Sequence, residues 1–206
     1  IRDRLKSNAD IALPGEGARW HGGDDGGATV ANGKLFIAEY NASRITVFDS
    51  LPTSVTEEPD WSLITDNTDD YILLEEDFII QNPVIESDGN ILVASSDFDH
   101  SLSVWKNLPA SSAAKPDLVL RRLEVGAMDN TFYDKSLFLA GGDWVYGWFD
   151  FQNVLNTETY SYDLNTRKIG SITFNLLSGI AYNGTYFALG DTVTQKIYIW
   201  EGIPEL

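Results

Sequence analysis

Short apolar runs separated by Gly, Asn, Asp and Pro recur along the whole chain, and no long stretch holds apolar residues at the 3.6-residue period of a capped helix. The pattern predicts strands throughout and argues against a helical solenoid. Four runs share the order apolar-apolar-Ala-x-x-Asp/Asn: Phe36-Ile37-Ala38 to Asn41, Leu92-Val93-Ala94 to Asp97, Phe138-Leu139-Ala140 to Asp143, and Tyr186-Phe187-Ala188 to Asp191. Each follows a turn pair, in order Asn32-Gly33, Asp88-Gly89, Asp134-Lys135 and Asn183-Gly184. Asn-Gly and Asp-Gly supply the positive φ angles of a type I′ turn, whose twist matches the strands it joins, so each unit contains a β-hairpin.

Three units share a second element: Val47-Phe48-x-x-Leu51-Pro52, Val104-Trp105-x-x-Leu108-Pro109 and Ile199-Trp200-x-x-Ile203-Pro204. Behind the first two, Pro59-Asp60 precedes Leu63 and Pro116-Asp117 precedes Leu120, each opening a further β-rich run. The four Ala markers stand 56, 46 and 48 residues apart, the length of a propeller blade. The predicted fold is all-β: a β-propeller of four-stranded blades, with four blades in one domain over residues 1–206. Its repeats are about 14–64, 65–123, 124–174 and 175–206, with residues 1–13 as a closing strand. Ala9-Asp10-Ile11-Ala12-Leu13 resembles the fourth strand that the last unit lacks, and pairing the termini would hide open sheet edges. The rival is a four-blade piece of a six-bladed ring, because the Pro-to-Asp interval is 8 in both internal cases and 12 across the junction.

The run Arg44-Ile45-Thr46-Val47-Phe48-Asp49-Ser50-Leu51-Pro52-Thr53-Ser54 with the later Pro59-Asp60 resembles the long NHL-type repeats of bacterial and archaeal propeller proteins. Ser101 to Leu120 and Lys196 to Pro204 are similar to it, whereas Tyr160-Ser161-Tyr162-Asp163-Leu164-Asn165-Thr166 is closer to a YVTN/WD-like third strand. The resemblance implies a propeller and a habit of binding other molecules, with enzymes a minority.

Charge narrows the partners. Fourteen basic against thirty-one acidic residues give a net charge of -17, which repels nucleic acid and anionic lipid. No apolar run approaches the roughly 18 residues of a membrane span. The absence of cysteine rules out disulfides, zinc thiolates and a cysteine nucleophile. No basic-then-apolar leader opens the chain, which reads as a mature or trimmed segment. Asn41-Ala42-Ser43 and Asn183-Gly184-Thr185 fit the N-glycosylation pattern, so an extracellular or periplasmic location is the expectation.

In a propeller the loops from second to third strand and those between blades share one face. That face gathers Asn41, Asp97, Asp143 and Asp191, one polar residue per blade, which serve either as a ring of ligand acceptors or as caps of their own loops. The glycine-rich stretch before the first hairpin adds Trp20 and His21. Between Asp143 and Tyr160 the third unit reads as carrying an aromatic insertion with Trp144, Tyr146, Trp148, Phe149 and Phe151, a predicted site for protein, small molecule or carbohydrate. The alternative is that these rings pack between blades, or that Val145 to Phe149 is itself the third strand.

With two histidines and no Gly-x-Ser-x-Gly elbow, parts for a hydrolytic triad are scarce. The expected function is therefore non-enzymatic binding or scaffolding, without a cofactor. Two alternatives remain: a structural subunit of a surface assembly, and a metal-dependent lactonase or esterase resembling gluconolactonase-type propellers. In the latter, Asp24, Asn82 and Asp129 would hold calcium or another divalent cation in the central channel.

Overall fold

The computed structural model describes residues 25–39, 44–54, 56–64, 84–96, 100–120, 128–157 and 160–205. The first sheet is an antiparallel meander of β1 (Asp25–Ala31), β2 (Lys34–Glu39), β3 (Arg44–Phe48) and β4 (Trp61–Ile64). The second repeats it with β5 (Val84–Asp88), β6 (Ile91–Ser96), β7 (Ser101–Trp105) and β8 (Leu118–Leu120). In the third, β9 (Asp129–Tyr133), β10 (Ser136–Gly141) and β11 (Trp144–Trp148) are followed by the helix α1 (Phe151–Thr157) and then by β12 (Leu164–Thr166). A two-stranded ribbon, β13 (Lys168–Ile169) and β14 (Ile172–Thr173), leads to the last sheet, β15 (Leu177–Tyr182), β16 (Tyr186–Asp191) and β17 (Lys196–Glu201).

These sheets are the blades of a β-propeller. Their first strands pack in series, β1 on β5, β5 on β9 and β9 on β15. Each blade buries one face against the next. Phe36, Ile45 and Val47 of the first meet Leu92 and Trp105 of the second. Val93, Leu102 and Val104 of the second meet Leu139, Tyr146 and Trp148 of the third. Phe138, Ala140 and Val145 of the third meet Leu177, Phe187 and Leu189 of the last. The third strands β3, β7 and β11 are thus buried on both sides, which is why they read as near-continuous apolar runs rather than alternating ones. Each fully buried Val, Ile or Leu side chain contributes about 1.5–3 kcal/mol.

The register corrects two of the expected turns. Asn32-Gly33 and Asp134-Lys135 are two-residue loops, as Ala31 faces Lys34 and Tyr133 faces Ser136. In the second blade Asp88 pairs with Ile91, so the turn is Gly89-Asn90, one residue later than expected. A one-residue slip turns every side chain to the other face. Ala94 therefore faces back toward the first blade, whereas Ala38 faces forward. In the last blade Tyr182 pairs with Phe187, leaving a four-residue loop. There Asn183 Oδ1 accepts the N–H groups of Thr185 and Tyr186 at 3.0 and 2.8 Å, a local turn that competes with a tight hairpin.

A further regularity ties the fourth strand to the third. Asp60, Asp117 and Asp163 each stand one residue before or at the head of a fourth strand, and each accepts at Oδ2 the backbone N–H just beyond the third strand. The donors are Asp49, Lys106 and Phe149, all at 2.7 Å. The same three aspartates donate their own N–H to the carbonyls of Val47, Val104 and Gly147 at 3.0, 2.8 and 2.9 Å. The expected closing strand, residues 9–13, lies outside the described residues.

Candidate functional site

Three loop segments converge beside the third and last blades. Leu177 N–H donates to the Gly142 carbonyl, Leu177 is paired with Asp191, and Thr192 N–H donates to the Leu176 carbonyl at 2.9 Å. Residues 142–144, 176–177 and 191–194 are thereby held as one surface.

Two aspartates of the predicted ring lie here, and they do different work. Asp191 is 2% exposed and caps its own loops: Oδ1 accepts the Thr194 N–H at 2.9 Å and Oδ2 the Asn175 N–H at 3.0 Å. Burial opposes its ionisation, but the hydrogen bonds from Thr194 and Asn175 outweigh it and hold the carboxyl below the usual range. Asp143 instead forms an ion pair with Arg167, whose guanidinium lies 5.5 Å above the Trp144 ring. Trp144 in turn stacks on Tyr146, with centroids 6.0 Å apart and planes at 9°. Asn41 and Asp97, the other two members of the ring, lie outside the described residues, as do Trp20 and His21.

The aromatic segment is not an inserted loop. Trp144–Trp148 is the third strand β11, and Tyr146, Trp148 and Phe151 are fully buried in the core shared with the second blade. Trp148 packs on Phe151 and Tyr162 at 5.3 and 5.0 Å between centroids. The expected YVTN/WD-like third strand at Tyr160 to Thr166 is correspondingly the fourth, β12. Of the five aromatics, Trp144 is half-buried and Phe149 is 45% exposed. A near-continuous apolar run such as Trp144-Val145-Tyr146-Gly147-Trp148 fits a strand covered on both faces, and large rings fill the gap between splayed blades.

Asp129, the described member of the expected metal set, bridges blades. Its Oδ1 accepts the Asn130 N–H at 2.9 Å and its Oδ2 the Ile180 N–H of β15 at 2.8 Å. Burial pushes its carboxyl above the usual value, against the pull of those two bonds. Asp24 and Asn82 lie outside the described residues, and among the described residues no three His, Asp or Glu side chains gather where they could share a metal ion.

Sequence reasoning missed the apolar residues this surface exposes. Leu176 is 39% and Val193 63% exposed, each on a loop anchored by Asp191. The available signal was a lone apolar residue among polar neighbours, Asn175-Leu176 and Thr192-Val193-Thr194. A second apolar surface lies on the last blade, where Tyr186, Ile197 and Ile199 are 53%, 73% and 65% exposed. It edges a groove of about 400 Å³ that includes Ala181, Tyr182 and Ala188.

No family model matches the chain, and no curated protein matches it. Solved structures do. The computationally designed Ika8 protein aligns over 93% of this chain and 48% of its own, with TM-score 0.57 and 11% identity. The designed Ika4 protein aligns over 95% and 99%, with TM-score 0.57 and 11% identity. A chain of the Mitotic Checkpoint Complex aligns over 87% and 48%, with TM-score 0.57 and 9% identity. The chain thus spans about half the length of the first and third of these. Likeness at such identity concerns the fold, and function has to be argued from the site.

Proposed function

We propose that the protein is a non-enzymatic binding or scaffolding propeller, of the NHL-like repeat type, that docks a protein partner on the loop surface around Trp144, Arg167, Leu176 and Val193. The observation that carries the reading is the exposure of Leu176 and Val193 on loops pinned by Asp191, beside the Arg167–Trp144 stack. Apolar side chains held rigidly at the surface lose little entropy on binding, and Trp and Arg are the residues in which interface energy concentrates. The chain's net charge of -17 favours a partner with a basic rim, which speeds encounter without setting most of the affinity. An extracellular or periplasmic setting, suggested by the two glycosylation triplets, belongs to the same proposal.

The test uses a photo-crosslinking residue at Val193 in cells that express the protein, with the same residue at Asn90 as control. Asn90 lies in the second blade's hairpin turn. The expected result is one adduct of defined mass from Val193, lost when Leu176→Asp or Arg167→Glu is added, and absent from Asn90. Equal labelling at both positions, or an adduct indifferent to Leu176→Asp and Arg167→Glu, overturns the reading.

A further inference from the structure

Each of the first three blades turns an apolar face toward the blade that follows it, and register makes the faces comparable position by position. Trp200 faces Phe187 as Phe48 faces Leu35, Trp105 faces Leu92 and Trp148 faces Leu137. Three residues before that aromatic stand Ile45, Leu102, Val145 and, in the last blade, Ile197. The first three are fully buried in the cores shared with the following blade. Ile197 is instead exposed, as are Ile199 and Tyr186 on the same face. The last blade also differs in relief. Opposite the residue before the aromatic, the earlier blades set Phe36, Val93 and Phe138, whereas the last sets Ala188, with Ala181 beyond it on β15. These two small residues leave the groove of about 400 Å³, which Tyr186 and Ile199 also line. Ile197 faces Gly190, with Gly179 beyond, so no side chain flanks it across the sheet on that side. One face therefore carries both a knob and a hole.

We infer that two copies of this chain associate through this face about a two-fold axis, the Ile197 side chain of each entering the groove of the other. A two-fold contact uses one patch twice and so needs a face complementary to itself, which a knob beside a hole provides. The contact continues the one that already joins the blades, since Ile197 holds the position that Ile45, Leu102 and Val145 use to meet a neighbouring sheet. Charge points to the same occupant. A surface with a net charge of -17 repels a second copy over most of its extent, whereas Ala181, Tyr186, Ala188, Ile197 and Ile199 are all uncharged. A partner with a basic rim gains nothing from such a face. Size sets the strength: three strands of six residues span about 20 Å by 10 Å, which suits a weak, concentration-dependent dimer rather than an obligate one. The face shares no residue with the loop surface around Leu176 and Val193, so the two are tested apart.

Sedimentation equilibrium of the purified chain, from about 5 to 200 µM, reads the association directly. The expected result is a reversible monomer–dimer equilibrium. Ile197→Asp and Ile199→Asp, checked for native circular dichroism, should each weaken it about tenfold or more, and Leu176→Asp should leave it unchanged. Ala188→Phe separates fit from stickiness, because it makes the face more apolar while filling the groove, and it should weaken the dimer as well. The absence of native cysteine allows a second measurement. Chains with Ile197→Cys and chains with Ala188→Cys, mixed and oxidised, should form the mixed disulfide faster than Ile197→Cys forms one with Asn90→Cys. A protein that stays monomeric throughout the range overturns the inference, whether the face is bare or takes another partner. So does a dimer indifferent to both aspartate substitutions, association strengthened by Ala188→Phe, or a mixed disulfide no faster than the Asn90 control.

Discussion

The third blade and the last carry the same strand pattern and meet different fates. β11 is buried along both faces, while β17 alternates between exposed and half-buried residues. Val145 and Ile197 are register equivalents, yet one is fully buried and the other 73% exposed. Their chemistry is alike, so the difference comes from what lies beyond the sheet and not from the strand. Propensity makes the strand; a neighbouring blade makes it core.

The largest expected break in that comparison is a charge at the two equivalent sites. Val145→Asp places an unpaired carboxylate between two blades and should cost more than about 4 kcal/mol, a large part of an ordinary domain's stability. Ile197→Asp should cost about 1–2 kcal/mol, because its side chain is exposed to water. Urea unfolding of the two variants measures both, and equal costs would mean that the last blade is packed as tightly as the third.

A smaller effect separates two carboxylates, the buried Asp191 and the half-buried Asp129. Asp191→Ala removes two hydrogen bonds to an ionised group and should cost about 1.5–3 kcal/mol at neutral pH. The folded-state value of Asp191 is depressed, so its contribution is present above the unfolded value near 3.8 and is lost as pH falls through the folded one. Asp129 has the opposite sign. Its folded value is raised, so wild type loses stability relative to Asp129→Asn as pH rises from about 3.8 through that value. Unfolding curves across acid pH should therefore show the two variants diverging from wild type in opposite directions, and parallel curves would refute the assignment.

Packing within the sheet gives the next step. Gly147 faces Phe138 across the third blade, and a Cβ at Gly147 would stand 2.6 Å from Phe138 Cδ1. The equivalent pair in the last blade is inverted, Ile199 facing Ala188. Gly147→Ala should cost about 1–3 kcal/mol by overpacking and recover with Phe138→Leu, whereas Ala188→Val on the open face should stay within about 0.5 kcal/mol. Thermal melts of the single and double variants decide this.

How much of this was legible beforehand depends on which interaction wrote the signal. Hairpins were readable because Asn32-Gly33 declares its own backbone geometry, and both residues have positive φ, 50° and 78°. The slip at Gly89-Asn90 was not, since Asp88-Gly89 is an equally good turn and only the neighbouring blades decide which face must be apolar. The aspartate bonds between third and fourth strands were visible only as Pro-Asp signals at Asp60 and Asp117 and not at all at Asp163, because a bond between Asp60 and Asp49 is set by the pairing of β3 with β4. The aromatic run misled for a related reason. Exposure is not a property of Trp148 but of the blade beside it. Leu176 and Val193 escaped notice because one apolar residue in a loop is ordinary until its loop is found pinned.

The smallest expected effect concerns the cation reading, and its size can be set in advance. A divalent ion held by the folded state alone, at a hundred times its dissociation constant, would add about 2.7 kcal/mol, worth roughly 5–10 °C in a domain of this length. Both Asp129 oxygens accept backbone N–H groups, one from Asn130 within β9 and one from Ile180 that ties β9 to β15, and a carboxylate committed to two donors is poorly placed to coordinate a metal as well. The melting temperature should therefore move by less than about 1 °C between EDTA and added calcium, within the scatter of the measurement. A calcium-dependent rise that disappears in Asp129→Asn would instead mean that Asp129 exchanges its bond to Ile180 for an ion. The tie between the third and last blades would then be the conformational element that a channel cation controls.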